Sequence, residues 1–166
     1  MNIVFYLSSI VAVVSTILVI TRLNAVHALL FLIVSLLSVA LIFYTLGAPY
    51  VAALEVIIYA GAIMVLFVFV VMMLNLGPRA TEQENQWLSP GMWLGPAVLT
   101  IILVGELIYV FALGANLVPT GGVVAPKQVG LTLFGPYLLG VELASMLLLS
   151  GLVGAYHLSQ RDRPQS

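Results

Sequence analysis

Glu55, Glu106 and Glu142 each lie inside a long apolar run of this 166-residue chain. An acid placed in a membrane span costs about 2.5–3.5 kcal/mol on insertion scales. Acids that persist there usually handle protons or ions, or face a partner charge. Read this way, the three are candidate protonatable sites. Each also has a plainer reading. Glu55 and Glu142 stand near the outer ends of their runs and could snorkel to the interface. Glu106, beside Gly105, could meet a charge on a neighbouring chain. Tyr59 follows Glu55 at i+4 and shares its helix face. Its phenol could hydrogen-bond the carboxyl and pass on a proton, or simply pack against a neighbour. Gly61 marks either close helix approach or a point where the helix can change its hydrogen-bond pattern, as at a π-bulge. The bulky residues that follow, Met64, Phe67, Phe69, Met72 and Met73, read as packing or lipid-facing groups.

Other chemistries find little support. His27 and His157 fall near one predicted depth and could ligate a b-type haem, but each stands at a span end where an interfacial histidine is ordinary. The chain has no cysteine, which excludes thiolate-ligated iron–sulfur clusters and c-type haem within it. It has no phosphate-binding glycine loop, nucleophile motif or metal cluster, and a net charge of −1 gives no reason to expect nucleic acid.

The elements that hold these residues follow from composition. The chain is 63% hydrophobic and 7% charged, with mean hydropathy +1.22. Soluble domains carry about 25% charged residues, and the apolar runs are continuous rather than alternating, so the predicted class is an all-α integral membrane protein. Five spans fit: about 3–20, 26–46, 51–75, 92–114 and 131–157. The first is read as a retained span, because no Lys or Arg precedes it. Residues 77–91 form a hydrophilic loop, 115–130 an irregular Gly/Pro-rich loop and 158–166 a polar tail. Arg22, Arg79, Arg161 and Arg163 would share one side, and Lys127 alone the other. That imbalance predicts the N-terminus outside and the C-terminus inside, with Trp87 and Trp93 as interfacial aromatics. Pro49-Tyr50 precedes Glu55 much as Pro136-Tyr137 precedes Glu142. If both prolines open their helices, the two acids sit at equal depth. If the last helix instead begins near Leu131, Pro136 kinks it and frees the Thr132 carbonyl.

The acids all fall in the outer half or near the middle of the predicted membrane. A hydrocarbon core about 30 Å thick is not bridged by such a set. Any relay must pass sideways into another subunit or through waters, so the chain reads as one component of a larger assembly.

Three segments carry a family resemblance: NAVHAL at 24–29, LEVIIYAGAIMVLFVFVVMMLN at 54–75, and FGPYLLGVELASMLLL at 134–149. Together they resemble the subunit J family of bacterial proton-pumping NADH:quinone oxidoreductase (respiratory complex I), counterpart of mitochondrial subunit 6. The resemblance covers nearly the whole chain. It implies a multi-pass subunit of the bacterial cytoplasmic (inner) membrane with no cofactor of its own. FMN, iron–sulfur clusters, NADH and quinone would belong to other subunits. The implied partners are the quinone-site subunit, the small K-type subunit and the antiporter-like subunits. It also implies a third helix able to carry a π-bulge that gates a hydrated proton path. Tyr59, Gly61, Met64 and Phe67 are then the gating candidates, with Glu55, Glu142 and Tyr59 the proton-relay candidates. The rival readings are the equivalent subunit of a related hydrogenase or cation-antiporter complex, a small stand-alone transporter, and a structural scaffold.

Overall fold

The computed structural model describes residues 3–22, 24–74, 90–113 and 122–160. Most of the hydrophilic loop (77–89), Trp87 within it, and the tail with Arg161 and Arg163 lie outside the described residues.

All regular elements described are helical. α1 spans Ile3–Thr21 and α2 Ala25–Thr45. Asn24 starts α2: its Oδ1 accepts from the Val26 and His27 N–H groups at 2.9 and 3.4 Å, which satisfies two of the donors a helix start leaves free. The third span runs Pro49–Leu74 in three parts: α3 (Pro49–Leu54), a π-helical segment (Glu55–Ile63) and α4 (Met64–Leu74). Pro49 occupies its first turn, where a missing N–H costs nothing. α5 spans Pro90–Leu113, α6 Pro126–Leu133 and α7 Leu138–Gln160. Among the described residues, five helices are long and apolar enough to cross a bilayer.

The fifth apolar helix begins at Leu138 rather than near Leu131, and residues 126–130 are helical rather than irregular. Gly135 and Pro136 cause the break. Pro136 has no N–H to bond the Thr132 carbonyl, which accepts instead from Tyr137 N–H at 3.3 Å. A Cβ on residue 135 would come within 2.7 Å of the Leu131 carbonyl oxygen, so only glycine fits this turn. The two Pro-Tyr segments therefore differ. Pro49 opens its helix, whereas Pro136 lies in the turn before one.

The chain divides into two compact units, residues 1–124 and 125–166. In the first, α2 is the hub and packs against α1, α3, the π-helical segment, α4 and α5. The face α1 turns inward reads Val4, Ser8, Val11, Ser15, at the 4-3-4 spacing of a knobs-into-holes seam. Its serines suit a bilayer, where close approach rather than water exclusion holds helices together. The Gly47 carbonyl accepts from Val124 N–H at 2.9 Å, which ties the stretch before α6 to the α2–α3 corner. The second unit holds α6 and α7, and no residue of α7 is buried.

Candidate functional site

The third span carries the candidates named from sequence. Val56, Ile57, Ile58 and Ile63 are β-branched and crowd an α-helix, while Gly61 supplies room. A Cβ on residue 61 would stand 3.1 Å from the Val56 carbonyl oxygen, five residues back, closer than side chains normally approach. Hydrogen bonds in a π-helix reach back five residues rather than four, and the Met64 N–H reaches the Tyr59 carbonyl in this way.

The wider turn decides which side chains point into the protein. Ala52 is buried, Glu55 and Ala60 are half-buried, and Met64 is only 1% exposed. The step from Glu55 to Ala60 is five residues, a π period. An uninterrupted α-helix from Ala52 would turn Val56, Tyr59 and Ile63 inward instead. Here Tyr59 is 51% exposed. Phe67, beyond the segment on α4, is also exposed. No hydrogen bond joins the Glu55 carboxyl to the Tyr59 phenol. Both therefore face surroundings other than each other.

Glu142 lies in the second unit, on an exposed face of α7, where its backbone carbonyl accepts from Ser145 Oγ at 2.7 Å. His157 is on the same helix. His27, in contrast, is buried in the first unit beneath Trp93, its ring edge-on with centroids 6.2 Å apart. It stands at the start of α2, as expected, and α5 returns across that start to cover it. Among the described residues no cluster of three or more His, Asp or Glu could hold a metal ion.

Among the described acids a different one is the most enclosed. Glu106 on α5 is 6% exposed, and its Oε2 accepts a 2.5 Å hydrogen bond from Ser8 Oγ on α1. Sequence reasoning found the acid but not its partner. The only local hint was serine at two positions, 8 and 15, of an otherwise apolar seam.

Residues 15–158 match the family model for NADH-ubiquinone/plastoquinone oxidoreductase chain 6. A Pseudomonas aeruginosa protein named NADH-quinone oxidoreductase subunit J is 57% identical, over 99% of this chain and 100% of that one. The Escherichia coli K12 protein of the same name is 54% identical, over 98% of this chain and 89% of its own. One from Buchnera aphidicola is 50% identical, over 98% and 100%.

Proposed function

Because the chain belongs to the NADH-ubiquinone/plastoquinone oxidoreductase chain 6 family, we propose that it is the membrane-arm subunit through which NADH:quinone oxidoreductase couples quinone reduction to proton translocation. The complex sits in the bacterial inner membrane. This chain enters it with its N-terminus outside and its C-terminus inside, and carries no cofactor of its own. FMN, iron–sulfur clusters, NADH and quinone reside on other subunits. Its neighbours are the quinone-site, K-type and antiporter-like subunits, against which the largely exposed third span packs.

The observation that carries the proposal is the π-helical segment Glu55–Ile63 inside an apolar span. Returning it to α-helix removes one residue from a turn. Everything downstream then rotates by about 100° and shifts by about 1.5 Å. Tyr59 and Ile63 would take the inward places held by Ala60 and Met64. A phenol replacing a methyl group on that face changes which waters can be held there, and Glu55 at the start of the segment is the adjacent protonatable group. The span is thus a gate whose two helix forms open and close a lateral path.

Gly61→Leu tests it, since a Cβ 3.1 Å from the Val56 carbonyl oxygen crowds the π-helical turn and forces the backbone there to give. In vesicles holding assembled complex, NADH-driven acidification is expected to slow about tenfold or more, the effect of some 1.4 kcal/mol on a barrier. Undiminished pumping sinks the gate.

A further inference from the structure

The first unit holds a second polar constellation that the third span does not use. Glu106, Ser8 and Ser15 are buried together with Ser35 and Ser38 in the packing of α1, α2 and α5. Ser8 and Ser15 are wholly enclosed, and they lie seven residues apart on one face of α1. Ser8 Oγ donates to Glu106 Oε2 at 2.5 Å. The other carboxyl oxygen, Oε1, has no partner among the described residues, and neither has Ser15 Oγ. Farther along the seam Thr16 and Ser35 share a hydrogen bond of 2.9 Å.

Close packing explains the serines but not the acid. A small residue at position 106 would let the helices meet without the insertion cost of a carboxyl. Among the described residues Glu106 forms no ion pair that would explain its retention. One carboxyl and one hydroxyl are too few oxygens for a metal cation, which takes six or so. The species that fits one free carboxyl oxygen in an enclosed apolar setting is a proton.

We propose that Glu106 is a proton-holding site of this chain, clasped at Oε2 by Ser8 and exchanging its proton at Oε1. The step adds H⁺ to a carboxylate oxygen and later releases it, with no other bond changed. Ser8 is a positioning residue: its hydrogen bond fixes the carboxyl and keeps Oε2 occupied. Ser15 supplies the next buried hydroxyl, about 10 Å along α1. The inference rests on the reading that the chain works within a proton-translocating complex.

The test uses assembled complex in native membranes, with infrared difference spectra recorded on adding NADH and acidification followed in parallel. Wild-type complex is expected to give paired carboxyl and carboxylate bands, part of which disappears in Glu106→Gln, whose amide oxygen can still accept from Ser8. Pumping in that variant is expected to fall about tenfold, the effect of about 1.4 kcal/mol on a barrier. Ser8→Ala keeps the acid but loses the donor, so the Glu106 carboxyl band should move and pumping should slow less. Glu106→Gln with all bands and full pumping would overturn the site. So would a variant that loses only heat stability, which is what a structural clasp predicts. If Glu106→Gln does not assemble, an unmoved band in Ser8→Ala overturns the proposal instead. Failure of the wild-type complex to acidify vesicles would count against the proposed function itself rather than against Glu106.

Discussion

Glu55 and Glu106 are the same residue type at similar cost, yet the protein treats them differently. Glu106 is enclosed within the chain and gripped by Ser8. Glu55 is half-buried on the third span and makes no hydrogen bond to Tyr59. A proton on Glu106 would therefore be enclosed by side chains of this chain, whereas a proton on Glu55 would be shared with whatever covers the span. Glu55→Gln keeps the size and removes the charge change. In assembled complex it is expected to slow NADH-driven pumping about tenfold, as about 1.4 kcal/mol on a barrier would; unchanged rate and stoichiometry would remove Glu55 from any essential role. Both acids were legible in the sequence because their surroundings are so apolar. The clasp on Glu106 was not, since Ser8 lies 98 residues away and a serine in an apolar seam does not say which residue it meets.

At the scale of elements, hydropathy marks the spans well and their internal geometry poorly. A helix that is apolar on every side has no polar face to show a change of period, so the π-helical turn leaves no trace in the pattern around Glu55–Ile63. Its sequence signs are Gly61 and the β-branched residues around it. The turn at 134–137 was half legible. Pro136 pointed to a disruption, but the break in place of a kink depends on Gly135, whose crowding appears only in three dimensions. Gly135→Ala should force the turn open. The cost is expected to be about 1–3 kcal/mol, seen as a lower midpoint for thermal inactivation of the assembled complex, and an unchanged midpoint would mean the turn yields cheaply.

For the whole molecule, the absence of cysteine in the chain makes its orientation directly measurable. Single cysteines at Val123, before α6, and at Gln160, the end of α7, should lie on opposite sides of the membrane. With the N-terminus outside, a membrane-impermeant maleimide is expected to label Val123→Cys in right-side-out vesicles and Gln160→Cys in inverted ones. The reverse pattern would invert the topology, and labelling on a single side would contradict five spans.

The last span raises a different matter. No residue of α7 is buried, and its length and apolarity suit a bilayer. In the proposed complex such a helix would dock by mass action: docking strengthens with the local abundance of the surfaces that receive it. Glu142 is carried on that helix, so its energetics would then depend on stoichiometry among subunits. An excess of this chain over its proposed neighbours would leave a carboxyl-bearing helix adrift in the bilayer, and balanced synthesis would give that acid a defined place.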